Sequence, residues 1–147
     1  MIIRLFCRTH LTNLKMDQPI LLLLADNGSV PPAYFYSYEI IFRLGGRALF
    51  VLSKGIDEHE APILSESKTY DKQALTAVYE EIRRHQSPDI SEAMVGGERN
   101  NITLIEYNKP IKIDILPHDE SGILLFEKCL RIYDPDFEEK LTRLVNN

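Results

Sequence analysis

Residues 31–55, PPAYFYSYEIIFRLGGRALFVLSKG, contain the clearest strand pattern in the chain. From position 34 to position 44 the even-numbered residues are all aromatic or aliphatic, whereas the odd-numbered ones include Ser37, Glu39 and Arg43. This alternation with a period of two predicts a strand with one apolar face. Gly45–Gly46 then interrupts the pattern. A Gly-Gly pair suits a two-residue hairpin turn, because such a turn needs positive φ at both of its central positions.

A two-residue turn also fixes the register of the predicted hairpin. In that register Phe42 lies opposite Leu49 and Ile40 lies opposite Val51. The four apolar side chains then share one face of the sheet. Turn chemistry and apolar pattern therefore agree on a first hairpin.

Three tyrosines, Tyr34, Tyr36 and Tyr38, continue the apolar face toward the start of this strand. Two interpretations fit the row. In the first, Tyr38 and Tyr36 belong to the core and their hydroxyls reach the margin of the sheet. In the second, Tyr34 and Tyr36 extend beyond the covering helix and line a groove that binds a partner, since tyrosine offers contact area at low entropic cost. We expect a gradient in which Tyr38 is buried and Tyr34 is accessible.

Two further segments predict strands. The apolar run 20–25 is typical of a buried strand. Apolar residues on both sides of Asn108–Lys109 predict a second hairpin with a two-residue turn, which places Leu104 opposite Ile113. Residues 56–70 are polar and are interpreted as a connection without regular structure.

Apolar residues spaced three and four apart predict helices in three places. The first helix begins after Asp71, which can accept hydrogen bonds as its N-cap. The second is capped by Asp119 or Ser121, and the third begins at Asp134-Pro135, with the proline in the first turn. Residues 86–101 are predicted to form a loop.

A strand, a hairpin, a helix, a second hairpin and two helices thus follow one another along the chain. Two successive ββα units predict an α+β fold with a single antiparallel sheet of four to five strands and helices packed on one face. We expect one domain over residues 16–147. Residues 1–15 have no clear periodicity, and our hypothesis is that they are an N-terminal extension outside the fold, with translation starting at Met16.

The chain has 147 residues, a formal net charge of −5 and two cysteines. Its length suits a single domain with a core. The acidic balance argues against nucleic acid or a membrane as partner, because phosphate groups attract an excess of Lys and Arg. Cys7 and Cys129 make no disulfide framework, which favours a reducing cytoplasm. Cys129 lies among apolar residues and is expected to be buried.

No motif for catalysis, for a metal or for a cofactor is recognisable, and none of the three is predicted. Residues 57–60 include His59 among acidic groups, but four consecutive residues cannot all point at one ion, so a solvated loop is the interpretation. His85 is interpreted as a cation at the end of a helix, and His118 stands beside residues that suit a helix start.

A Gly-x-x-Pro-Pro segment, a strand with alternating tyrosines and a Val-Gly-Gly turn occur in this order at Gly28, Pro31, Pro32, Tyr34, Tyr36, Tyr38, Val95, Gly96 and Gly97. Over residues 26–145 the chain thereby resembles a family of small bacterial α+β proteins of uncharacterised function. The resemblance implies a bacterial cytoplasmic protein and carries no particular chemistry.

Two classes of function remain, and the first is favoured. In the first, the protein is a non-enzymatic binding module, for example an inhibitor or immunity-type protein that masks a basic partner. Its partner-binding residues are Tyr34 and Tyr36, and its partner is another protein or a second copy of the chain. In the second, the protein is a small hydrolase or isomerase whose groups meet only in space. The candidates for that site are His59, His85, His118, Glu39 and Tyr36.

Overall fold

The computed structural model describes residues 15–28, 30–55, 62–86 and 98–146. Within these ranges six strands form one sheet in the order β4-β3-β2-β1-β5-β6, and every neighbouring pair is antiparallel. The strands are β1 (Pro19–Asp26), β2 (Tyr36–Arg43), β3 (Arg47–Lys54), β4 (Leu64–Thr69), β5 (Arg99–Glu106) and β6 (Lys109–Ile115). The helices are α1 (Lys72–Arg84), α2 (Glu120–Tyr133) and α3 (Phe137–Val145), and a short 3-10 turn covers Pro32–Tyr34.

The α+β class and the single antiparallel sheet are confirmed, but the predicted number of strands is wrong. The missed strand is β4, which lies in the segment interpreted as a polar connection. Two of its three inward side chains are charged: Glu66 binds Tyr133 and Lys140, and Lys68 binds Asp134, whereas Leu64 packs against the core. Four strands therefore precede the first helix, so the first half of the chain is not a ββα unit.

The first hairpin forms, but its predicted register is wrong by one residue. Phe42 pairs with Ala48 and Ile40 pairs with Phe50, and the loop Leu44–Gly46 has three residues instead of two. Gly46 has a φ of +93°, which suits a glycine at the last position of such a loop. Because β3 is apolar at both odd and even positions, its pattern did not distinguish the two registers.

The second hairpin turns one residue earlier than predicted. Tyr107 and Asn108 occupy the turn with φ values of 49° and 63°, both in the left-handed region that a tight two-residue turn requires. Leu104 consequently lies opposite Ile111 instead of Ile113. The shift moves each partner by two positions, so the predicted apolar face of this hairpin is unchanged.

All three helices pack on one face of the sheet and enclose the core. The central contribution is aromatic: the rings of Tyr38, Phe50, Tyr133 and Phe137 meet with centroid distances of 5.2–6.2 Å. Cys129 is fully buried as predicted, and burial raises the pKa of its thiol to about 12. A thiol in this setting is not a reactive nucleophile.

The first two helix starts are confirmed and the third is shifted. The carboxylate of Asp71 accepts hydrogen bonds from the N–H groups of Gln73 and Ala74, and Asp119 accepts one from Gly122. The last helix begins at Phe137 and not at Pro135. The carboxylate of Asp134 instead accepts the N–H of Asp136 within the connecting turn, at 3.0 Å.

The two hairpin loops, Leu44–Gly46 and Tyr107–Asn108, lie at the same end of the sheet, which we call the turn end. Met16 contributes there, since its carbonyl oxygen accepts the N–H of Gly45 at 2.8 Å, and Gln18 bonds Asn108 at 3.1 Å. The predicted extension, apart from Lys15, lies outside the described residues, so the domain boundary at Met16 stays a prediction.

Candidate functional site

The opposite end of the sheet carries the tyrosine row, and we call it the tyrosine end. The expected gradient of burial along the row is confirmed. Tyr34 is 74% exposed, Tyr36 is half-buried and Tyr38 is 7% exposed. Tyr38 belongs to the aromatic core through its contacts with Phe50 and Phe137. Whether Tyr34 and Tyr36 bind a partner stays a prediction.

The backbone that presents Tyr34 is fixed by one side chain, Asn27. Its amide nitrogen donates to the carbonyl oxygen of Tyr34 at 2.8 Å, and its amide oxygen accepts the N–H of Tyr36 at 2.9 Å. The carboxylate of Asp26 accepts the N–H of Gly28 at 2.8 Å in the same turn. The exposed ring of Tyr34 therefore projects from an ordered backbone, which lowers the entropic cost of using it in a contact.

Beneath the row, a cavity of about 300 Å³ opens between the helix-covered face of the sheet and helices α2 and α3. We call it the tyrosine cavity. The rings of Tyr36 and Tyr38 form one wall, and apolar side chains of the helices form the other. Four acidic residues complete the lining, namely Asp26, Glu98, Glu127 and Glu138.

The electrostatics of the tyrosine cavity are one-sided, because no Lys, Arg or His lines it among the described residues. Burial raises the pKa of the Tyr38 phenol, and the nearby Tyr36, Glu98 and Glu138 raise it further. Burial also raises the pKa of Tyr36, with a second contribution from Glu98. Both phenols are therefore neutral at physiological pH, and they lie close to acidic groups.

The Tyr38 hydroxyl lies at the margin of a side chain that is otherwise buried. It makes no hydrogen bond to any described residue, although it lines the cavity. Among the described residues, the buried side-chain polar atoms without a partner are Arg43 Nε and Asn101 Oδ1, so the Tyr38 oxygen is accessible to solvent at the cavity. This hydroxyl is therefore free to donate to, or accept from, a molecule that enters the cavity.

The other face of the sheet is covered by none of the described helices. Its centre is apolar, with Leu22, Ile41 and Leu49 half-buried and Leu24 exposed. Near the tyrosine end it forms a wider cavity of about 740 Å³, which we call the open-face cavity. Its lining includes Leu24, Glu39, Asn101, Lys112, Asp114 and His118.

The histidines proposed for an enzyme site are separated in the structure. The side chain of His85 is buried at the end of α1 with its Nε2 at 2.7 Å from Asp119 Oδ2, so it joins the end of one helix to the start of the next. His118 lines the open-face cavity together with Glu39, but no hydrogen bond connects these two described side chains. Tyr36 lies in the tyrosine cavity, and His59 lies outside the described residues.

Asp119 has the role of a structural anchor. Burial by itself raises the pKa of its carboxyl, but hydrogen bonds from the Gly122 N–H, from His85 and from Ser121 outweigh burial and hold that pKa below its ordinary value. With its oxygens engaged in this way, Asp119 has little capacity left to bind a ligand. The part of the chain that the structure describes also contains no group of three or more His, Cys, Asp or Glu placed to hold a metal ion.

Comparison of the sequence with protein-family models gives no match, and comparison with curated proteins gives none either. The resemblance to small bacterial α+β proteins therefore stays a prediction. Within the described ranges, no helix is both long enough and apolar enough to cross a membrane.

Sequence reasoning missed three groups of the tyrosine end: Asn27, Glu98 and Glu138. Asn27 precedes a glycine, which is a typical turn signal, but its bonds to residues seven and nine positions later depend on how the chain returns. Glu98 and Glu138 come from a strand start and a helix start that are far apart in sequence. Their meeting with Tyr38 follows from the tertiary fold and leaves no local signal.

Proposed function

We propose that the protein is a non-enzymatic binding module that holds a basic protein partner at the tyrosine end. One observation carries the proposal: the exposed ring of Tyr34 lies at the same end of the sheet as a cavity whose described lining contains four acidic residues and no basic one. An exposed aromatic side chain on an ordered turn is a typical anchor for a protein contact. The carboxylates at the same end of the sheet favour a partner of positive charge.

The overall charge supports the same partner. At a net charge of −5 the chain attracts cationic proteins over distances of about one Debye length, roughly 8 Å at physiological salt. We propose on this basis that the protein acts as an inhibitor or immunity-type protein in a bacterial cytoplasm and masks the basic surface of its target.

A display experiment with matched tyrosine variants tests the binding module. Peptides are selected from a random library on the immobilised full-length chain and then measured against Tyr34→Ala and Tyr107→Ala. Tyr107 is the control, because it is 96% exposed but lies at the turn end. We expect Lys- and Arg-rich peptides whose binding is lost in Tyr34→Ala and kept in Tyr107→Ala. Failure to select peptides, or equal binding to both variants, would overturn the proposal.

A second candidate function, a small hydrolase or isomerase, rests on the presence of Glu39 and His118 in the open-face cavity. A carboxylate and an imidazole in one cavity are suitable groups for acid–base chemistry. This candidate requires that His118→Gln abolish any turnover of ester, amide or enolisable substrates. The binding module requires that the same variant bind the selected peptides as the unaltered chain does.

A further inference from the structure

The tyrosine cavity has a specific chemistry beyond its position at the tyrosine end. Its volume of about 300 Å³ lies at the lower limit of cavities that bind small molecules, which is roughly 300–1,000 Å³. A space of this size suits a single side chain or a small organic molecule. An extended peptide segment does not fit within it.

The charges around the cavity select for a cation. Arg131 approaches Glu138 at 3.7 Å and Glu127 at 3.8 Å, both longer than a hydrogen bond, and it does not line the cavity. Glu98 forms no ion pair or hydrogen bond with any described residue. Several carboxylates in a partly enclosed space, with basic side chains only beyond hydrogen-bond distance to neutralise their charge, raise the local concentration of cations. They lower that of anions.

The Tyr38 hydroxyl adds a neutral hydrogen-bonding group to the acidic residues of the tyrosine cavity. More than nine-tenths of the residue is buried, its hydroxyl has no hydrogen-bond partner among the described residues, and it lines the cavity near Glu98 and Glu138. The buried ring fixes the position of the oxygen. A ligand that donates several hydrogen bonds can satisfy this oxygen and the two carboxylates at once.

The spacing of the acidic residues favours an organic cation over a metal ion. Three or more carboxylates are not gathered around one point in the described chain, which a hard cation such as Ca²⁺ would need. A guanidinium group is planar, donates five hydrogen bonds in a fixed fork and stacks on aromatic faces. Tyr36, a half-buried aromatic residue of the lining, offers its ring for such a contact.

We infer that the tyrosine cavity binds the guanidinium group of an arginine side chain, with Glu98 and Glu138 as its carboxylate partners, the Tyr38 hydroxyl as an additional acceptor and Tyr36 as its aromatic contact. This inference rests on the proposed function, because the arginine belongs to the basic partner. It names the group that the module recognises.

A titration of the ¹⁵N-labelled full-length chain followed by NMR tests the site with ethylguanidinium, the end of an arginine side chain. N-ethylurea is its neutral counterpart of nearly the same shape, and ethylammonium is the counterpart without the planar fork. We expect saturable shifts of the Tyr36, Tyr38 and Glu98 amide signals with ethylguanidinium, weaker binding of ethylammonium and none of N-ethylurea. Equal binding of ethylammonium or N-ethylurea would overturn the assignment of a guanidinium.

Neighbouring glutamates on α3 provide a matched control. Glu138 lines the tyrosine cavity and Glu139 does not, although both are exposed in the first turn of the helix. We expect Glu138→Gln and Glu98→Gln each to weaken ethylguanidinium binding about tenfold, as expected for loss of a charged hydrogen bond. Glu139→Gln, with the same change of net charge, should weaken it less than twofold. An equal effect of Glu138→Gln and Glu139→Gln would reduce the site to general attraction by the acidic surface.

The two experiments separate the inference from the proposed function. If display yields peptides that require Tyr34 while ethylguanidinium causes no saturable shift, the arginine site is wrong and the binding module stands. If ethylguanidinium saturates the cavity while no peptide is selected, the cavity binds a free small cation and the protein-binding module is wrong.

Discussion

Tyrosine hydroxyls differ in their hydrogen bonding at the two ends of the sheet. At the turn end the hydroxyl of Tyr70 donates to the carbonyl oxygen of Arg43 at 2.6 Å, and that of Tyr79 donates to the carbonyl oxygen of Ile20 at 3.1 Å. At the tyrosine end the hydroxyls of the row have no hydrogen-bond partner among the described residues. Tyrosine hydroxyls thus bond the backbone at the turn end, whereas those of the row have no described partner at the tyrosine end.

The difference separates stability from binding. A buried hydroxyl that bonds a strand carbonyl anchors a helix or loop to the sheet, and its loss leaves a backbone acceptor without its partner. A solvent-accessible hydroxyl without a partner in the protein, such as that of Tyr38, contributes nothing to folding through a hydrogen bond within the chain. It is a polar group that the folded chain keeps available, and this is a common property of binding sites.

The largest effect is expected when the tyrosine ring is removed from the core. Tyr38→Ala should cost about 3–5 kcal/mol of unfolding free energy, since the ring packs against Phe50 and Phe137. Tyr34→Ala should change it by less than about 1 kcal/mol, because that ring is 74% exposed. Urea denaturation of both variants measures the difference. A greater loss in Tyr34→Ala would reverse the assigned gradient.

A smaller effect isolates the hydroxyl groups themselves. Tyr70→Phe should cost about 1–3 kcal/mol, because it leaves the carbonyl oxygen of Arg43 without its donor. Tyr38→Phe should change stability by less than about 0.5 kcal/mol, since no described hydrogen bond is lost. The two variants differ from the unaltered chain by one oxygen atom each and can be compared in the same urea series.

The hydroxyl comparison can fail in an informative way. A clear destabilisation by Tyr38→Phe would mean that this hydroxyl has a partner in the folded chain. The tyrosine cavity would then lose the free acceptor on which the arginine site depends. Equal and small effects of both substitutions would remove the contrast between the two ends.

The sequence was sufficient for the elements that bury a regular apolar face. The stripe of Leu75, Val78 and Ile82 predicts α1 together with its cap, and alternation predicts the two hairpins. Register was harder, because β3 offers Leu49 and Val51 on one face and apolar residues of similar size on the other. Only packing against the helices decides between the two faces.

The missed parts of the molecule depend on pairs that form across long distances in sequence. The strand β4 carries Glu66 and Lys68 inward, and these side chains are acceptable there only because Lys140, Tyr133 and Asp134 meet them. The tyrosine cavity has the same origin. Tyr36 was recognisable as a candidate from alternation alone, whereas the carboxylates that give the cavity its charge were not.

The smallest expected effect on stability concerns two carboxylates, one with hydrogen-bond partners in the fold and one without. Glu66 accepts hydrogen bonds from Lys140 and Tyr133, and these bonds, despite an opposing contribution from burial, lower the pKa of its carboxyl. Glu98, at the tyrosine end, has no such partner among the described residues. The first carboxylate is expected to stabilise the fold, and the second to be available to a ligand.

The pH dependence of stability distinguishes these two carboxylates. Because the folded-state pKa of Glu66 lies below its unfolded value of roughly 4.3, the unfolded chain binds more protons between the two values. The stabilisation by Glu66 is therefore complete above about pH 5 and disappears as the pH falls through the folded-state pKa.

We expect Glu66→Gln to lower the unfolding free energy at pH 7 by less than about 1 kcal/mol, since the group is partly exposed to solvent, and to lower it by a smaller amount at pH 3. Glu98→Gln should cause no loss at pH 7. Urea midpoints of both variants at the two pH values provide the measurement, and a loss in Glu98→Gln that also fades at pH 3 would show that this carboxylate supports the fold and is not held in reserve for a cation.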